Sequence, residues 1–210
     1  MRRELHVRFC EGGGVQFPSA TRLVLGFQVK SDAERFWAEL AERFRKFHLE
    51  LHPEKTRLLE FGPHAADHRR RRGEGKPETF NVLGFTHICG KKRSNGRFTV
   101  VRQTIRKRLQ AKLRAVKAEL KRRMHRPVPE VGTWLRAGVG GHIRYYGVPM
   151  NQPALPRFRF QVGWLWHRAL SRRSQTGRVT WDRMRRLLDR WLPPARVCHP
   201  YPLRRLGVIT

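Results

Sequence analysis

A chain of 210 residues with 46 Lys+Arg against 16 Asp+Glu carries a formal charge of +30, far more than solubility requires and typical of proteins that hold a polyanion. Hydrophobic residues make up 39%, with six Trp and twelve Phe, which excludes a disordered basic tail and predicts one or two folded modules. Cys10, Cys89 and Cys198 lie far apart with no Cys-x-x-Cys pair, the start has no apolar signal core, and no run approaches the roughly 18 apolar residues of a membrane span, so a cytoplasmic protein with free thiols and no membrane partner is expected.

Residues 1–30 are the least regular, because Gly12-Gly13-Gly14 and Pro18 break any sustained period and only Leu23–Phe27 reads as a strand. Ser31 followed by Glu34 has the form of a capping box. Phe36, Leu40, Phe44 and Phe47 then recur at helical spacing and predict an amphipathic helix ending near Phe47. Short β-like runs follow at 49–52, 57–61, 80–86 and 98–101, separated by Pro53, by the Arg69–Arg72 run and by a Ser94-Asn95-Gly96 hairpin turn. The arginine run is either a nucleic-acid contact or a solvated loop.

The second half is more basic than the first. Residues 1–100 hold 20 basic and 12 acidic side chains, and residues 101–210 hold 26 and 4. Arginine outnumbers lysine 36 to 10, which favours bidentate phosphate contacts and stacking on bases. A GC-rich genome would explain part of that ratio, but not the excess of base over acid.

From Ile105 onward the pattern is helical. Ile105, Leu109, Leu113, Val116, Leu120 and Met124 form an apolar stripe, whereas Arg106, Lys107, Arg108, Arg114, Lys117, Lys121 and Arg122 lie largely off it. Glu119 is the only acid on this helix, so a mixed-sign solvated face does not explain it. A second helix is expected through Trp134, Leu135, Val139, His142, Ile143 and Tyr146, a third over about Leu155–Ser171, and a fourth opened by Thr180-Trp181 and carrying Met184, Leu187, Leu188 and Trp191. Tyr145 and Tyr146 are candidates for base stacking, with burial in a helical core as the alternative. Arg172 and Arg173 extend the basic character beyond the third helix.

Several other chemistries find no support. The Gly73-Glu74-Gly75-Lys76 string lacks the first glycine and the Ser/Thr of a phosphate loop. No nucleophile elbow stands out, and acids are too sparse in the second half for a carboxylate pair. His199 beside Pro200 reads as structural. No catalytic residue and no metal ligand is assigned.

The string LELHPEKTRLLEFG from Leu49, GEGKPETFNVLGFTH from Gly73 and CGKKR from Cys89 closely resembles the end of the palm of group II intron reverse transcriptases, the intron-encoded proteins that also act as splicing maturases. TWLRAGVGGHIRYYGVPMN, Thr133 to Asn151, resembles the thumb or maturase-specific domain of the same proteins, and the segment from Ser171 resembles the tail of their bacterial members. The resemblance implies an α+β chain with an irregular remnant in place of the catalytic palm region over 1–30. The end of the palm would cover 31–102, the thumb or maturase domain 103–175 and a basic segment 176–210. It also implies that Val82-Leu83-Gly84-Phe85 corresponds to the block that grips the primer end; from the residues alone Val82, Leu83 and Phe85 are equally well buried strand positions.

Where the family carries its aromatic-Ala-Asp-Asp motif this chain reads Phe17-Pro18-Ser19-Ala20-Thr21-Arg22, and no aspartate precedes Asp32. The fingers and the first palm aspartate would lie upstream of Met1. Two-metal nucleotidyl transfer requires such carboxylates. The Mg²⁺ of the intact RNA-directed DNA polymerase family is therefore not expected to have a place here, and the chain alone is expected to be inactive as a polymerase. The tail carries nothing of the His-Asn-His nuclease found in some members.

The implied activity is maturase-like binding of group II intron RNA in support of splicing. Its expected contacts are Arg106, Lys107, Arg108, Arg114, Lys117, Lys121, Arg122, Tyr145, Tyr146, Arg172 and Arg173. A DNA target and a separately encoded N-terminal reverse-transcriptase piece are further candidate partners. The competing readings are a decayed, non-functional remnant of a mobile element and one half of a split reverse transcriptase.

Overall fold

The computed structural model describes residues 5–10, 23–52, 56–173 and 179–201, and its fold is α+β. Strands β1 (Leu5–Cys10), β2 (Leu23–Phe27) and β3 (Arg57–Phe61) form an antiparallel sheet in the order β2-β1-β3. His6 stands opposite Phe27, and Leu5 opposite Phe61. The start of the chain, expected to be irregular before Leu23, therefore supplies the central strand of this sheet. The Phe17–Arg22 segment lies outside the described residues.

Helix α1 (Lys30–Arg45) follows β2, and Phe36 on it meets Phe27 at 5.4 Å between ring centroids. Its N-cap is Val29, with no side-chain cap bond. The Ser31–Glu34 capping box is therefore not formed: the helix begins two residues early, which puts Ser31 inside the first turn. Left-handed His48 closes the other end, with the Leu49 N–H on the Phe44 carbonyl, and Phe47 beyond the helix is 65% exposed.

Helix α2 (Ala65–Arg71) and a second antiparallel meander of β4 (Phe80–Val82), β5 (Phe85–Lys91) and β6 (Phe98–Thr104) come next. The Arg69–Arg72 run is thus the last turn and cap of a helix rather than a loop. Leu59, Phe61 and Phe80 form a small core, with Val24, Val82, Cys89 and Val100 packed on it. Phe61 meets Phe80 edge-on at 4.8 Å. Between β5 and β6, Gly96 takes a left-handed φ and the Asn95 side chain accepts from the Arg97 N–H, so the expected Ser94-Asn95-Gly96 turn is present.

The chain divides into two units. The first holds the described residues up to Val82 together with His87–Val101, and the second holds Leu83–Thr86 and the described residues from Arg102 onward. In the second unit α3 (Arg106–Arg122), α4 (Val128–Tyr146), α5 (Ala154–Ser171) and α6 (Trp181–Trp191) surround a larger core. Val116 and Leu120 from α3, Leu135 and Val139 from α4, Phe158, Val162 and Trp166 from α5, and Met184 from α6 are all buried in it. Helix α6 belongs to this core rather than to a separate basic segment. Thr180 caps it, accepting from the Arg183 N–H at 3.4 Å.

Two features fix the edges of this unit. Buried Asn151 accepts from the Thr104 N–H at 3.0 Å and donates to the Thr104 hydroxyl and the Tyr146 carbonyl, so it joins the end of β6 to the turn between α4 and α5. The Gly147 carbonyl accepts from the N–H groups of Cys198 and His199, and the His199 ring bonds the Arg144 carbonyl at 2.6 Å. His199 thus has a structural partner. No helix among the described residues is long and apolar enough to cross a membrane.

Candidate nucleic-acid interface

Helix α3 separates its side chains as the spacing predicts. Val116 and Leu120 are buried, while Ile105, Leu109, Leu113 and Met124 are half-buried. Arg106, Lys107, Arg108, Arg114, Lys117, Lys121 and Arg122 are all exposed. The apolar side is held by α5 and α4, so the cations can reach solvent without unfolding anything.

How far these charges are neutralised decides whether the face is available to an anion. Residues 101–210 contain four acids, and each has an arginine partner. Glu119 pairs with Arg122 and Arg123, Glu130 with Arg126, Asp182 with Arg185, and Asp189 with Arg159. Arg123 holds the Glu119 carboxyl below its usual pKa, against the opposing effect of burial. Among the described residues, Arg106, Lys107, Arg114, Lys117 and Lys121 form no ion pair. Arg108 lines the same hollow as Tyr146 and opposes the rise in its hydroxyl pKa.

The other expected contacts are placed differently. Tyr145 is 50% exposed, but its hydroxyl donates to the Leu83 carbonyl at 2.8 Å and its ring lies parallel to Phe85 at 6.1 Å. Tyr146 is half-buried between Phe85 and His142, with centroids at 5.2 and 4.5 Å. Burial, helped by Tyr145, pushes its hydroxyl pKa up. Tyr146 therefore packs inside the unit, whereas Tyr145 keeps an open edge. Arg172 is exposed, but the half-buried Arg173 donates to the Arg126 carbonyl at 2.8 Å and is occupied in closing the α3–α4 connection.

Val82, Leu83, Gly84 and Phe85 do not form one buried strand. Val82 ends β4 and Phe85, buried, starts β5. Leu83 and Gly84 make the two-residue turn between them, with φ of +47° and +81°. Positive φ at both positions is what a tight hairpin in twisted strands requires. A Cβ on Gly84 would stand 2.8 Å from the Tyr146 hydroxyl oxygen, so glycine is needed there on two grounds. Leu83, 73% exposed, is held at the tip by the Tyr145 bond to its own carbonyl and by the Ile105 N–H on the Gly84 carbonyl.

Between α3 and α5 lies a groove of about 340 Å³. Arg114, Lys117, Lys121, Arg168 and Arg172 line it together with Trp164. Trp164 is 41% exposed, and the Arg168 guanidinium sits 4.6 Å from its ring centroid. Sequence reasoning missed Trp164 and Arg168, because aromatics at helical spacing default to core. The available signal was the pair Trp164 and Trp166. Two residues apart on a helix they point to nearly opposite sides, and Trp166 is the one that is buried.

Among the described residues no three His, Cys, Asp or Glu side chains gather, and in the sequence Glu11 is the only acid between 11 and 22. No protein-family model matches this chain, and no curated protein matches it.

Proposed function

We propose that this chain binds intron RNA in support of splicing, as a maturase-like member of the group II intron reverse transcriptases, with α3 as the principal contact. The observation that carries the reading is the uncompensated cationic face of α3, opposite a stripe fixed in a core. Phosphates answer a one-sided array of this kind with charge-assisted bonds and released counterions. The reading includes no polymerase step, since the carboxylates that would hold two Mg²⁺ are replaced in the sequence.

The test is binding of the purified chain to a group II intron transcript and to an unrelated structured RNA of equal length, from about 50 to 200 mM salt. A preference for the intron that survives the higher salt supports the maturase reading. Equal binding that fades by about 10³-fold for both RNAs would reduce the chain to a basic remnant with no chosen RNA.

A further inference from the structure

The groove between α3 and α5 differs from the rest of the basic surface. Elsewhere on α3 the cations surround no exposed aromatic ring. Here three of them, joined by Arg168 and Arg172 from the end of α5, border an indole, and Leu165, Met124 and Ala169 complete an apolar lining. A duplex phosphate backbone needs the charges and has no use for the ring.

From this geometry we infer that the groove holds an unpaired stretch of RNA, with one base stacked on Trp164 and its flanking phosphates on Arg114, Lys117, Lys121 and Arg172. The inference rests on the RNA-binding reading above and specifies what this part of the site takes. Three observations converge on it. First, the lining is mixed: apolar and aromatic surface suits a base, while the charged border suits phosphodiesters, the combination that proteins use for single strands. Second, the charge is one-sided: none of the five cations forms an ion pair among the described residues, and the four acids of residues 101–210 are paired elsewhere. A negatively charged occupant is what this border complements. Third, the Arg168 guanidinium against Trp164 fixes the indole and adds a second planar surface beside it. At about 340 Å³ the space is at the small end of the range filled by compact ligands, so it suits one nucleoside rather than a folded partner.

The experiment uses the full chain with two RNAs of equal length, an unstructured single strand and a fully paired hairpin, titrated at about 150 mM salt. The variants are Trp164→Ala, Trp164→Phe and the Lys117→Gln/Lys121→Gln double substitution. Trp164→Ala is expected to weaken single-strand binding by about 10-fold, the size of one base–aromatic stack, and hairpin binding by less than about twofold. Trp164→Phe should recover single-strand binding to within about threefold. The lysine double variant should weaken both RNAs and flatten both salt slopes. Trp164→Ala binding the single strand like the parent, or losing equally on both RNAs, would overturn the groove assignment. If the hairpin still binds through the lysines in that case, the α3 reading stands without it. If neither RNA binds and the lysine variant changes nothing, both readings fall together.

Discussion

Two arginine-rich stretches of this chain look alike on paper and behave differently in the fold. Arg69–Arg72 ends α2, and the acids of its own unit answer it. Arg69 meets Glu74 at 3.3 Å and Glu78 at 3.5 Å, Arg70 meets Asp67 at 3.7 Å, and Arg72 bonds Glu60 and Glu74. The bonds that Arg72 donates to Glu74 and Glu60 raise its pKa still further. Helix α3 carries a comparable run, but its one acid is held by Arg122 and Arg123 at the far end. A run of arginines is thus informative about partners only after its carboxylates have been located. The first run stabilises its unit from within, and the second is left for something outside.

The sharpest way to break this contrast is to neutralise each run in turn. Replacing Lys117, Lys121 and Arg122 with glutamine should cost about 10²-fold in RNA affinity at 100 mM salt and reduce the salt slope by about two or more. The same change at Arg69, Arg70 and Arg72 should leave the slope within one unit and lower the stability of the first unit instead. Equal loss of affinity from both triple variants, in a filter-binding titration, would erase the distinction.

Acid titration should separate the units a second way. His142 is buried with its ring 3.6 Å from the Phe158 centroid, and burial, with Lys112 adding to it, lowers its pKa from 6.5 to about 4. The unfolded chain takes up this proton first. Stability of the helical unit is therefore full above about pH 6.5 and falls as the pH drops toward 4, by about 2 kcal/mol after allowance for solvent screening. His142→Phe should flatten that slope in urea unfolding followed from pH 7 to 4; an unchanged slope would place the titrating group elsewhere.

Glu60 sets the corresponding transition in the first unit. Burial raises its pKa, but the bonds from Arg72 and His68 outweigh this and lower it below 4.5. Its contribution is present above that value and disappears as the pH falls through the lowered one. Glu60→Gln should cost the first unit about 1 kcal/mol at pH 7, seen as a lower urea midpoint with RNA affinity unchanged. A matching drop in affinity would show that the internally paired run reaches RNA after all.

The smallest effect concerns α4. Gly132 lies against the Trp191 ring, whereas a Cβ on Gly138 would meet nothing within 4 Å. Gly138→Ala should therefore stabilise the helix by about 0.5–1 kcal/mol. If thermal unfolding confirms the gain while RNA affinity drops, the RNA backbone passes close to α4 at that point.

Much of the helical unit was legible because its information is local. The stripe from Ile105 to Met124 and the Thr180-Trp181 start each place a helix to within a residue or two. What escaped depends on distant partners. Strand β1 pairs with β3 some fifty positions onward, and no local period reveals that. Helix α2 is seven residues long, too short for a hydrophobic stripe, and the carboxylates that anchor Arg69 and Arg72 come from β3 and from the segment after the helix. Leu83 read as one more apolar strand residue, although Gly84 beside it carried the turn signal. The basic face was readable as a pattern, but its lack of counter-ions was not, because that depends on where four acids lie in space.

Those four paired acids have a consequence for folding itself. With 26 basic side chains in residues 101–210 and all four Asp and Glu side chains there paired, the helical unit repels itself, and a bound polyanion relieves part of that strain. A ligand at 100 times its dissociation constant adds about 2.7 kcal/mol to the folded state, a large share of what a domain of this size possesses. If the RNA-binding proposal holds, the amount of intact protein in a cell should follow the supply of that RNA, with the unoccupied chain the first to reach a protease.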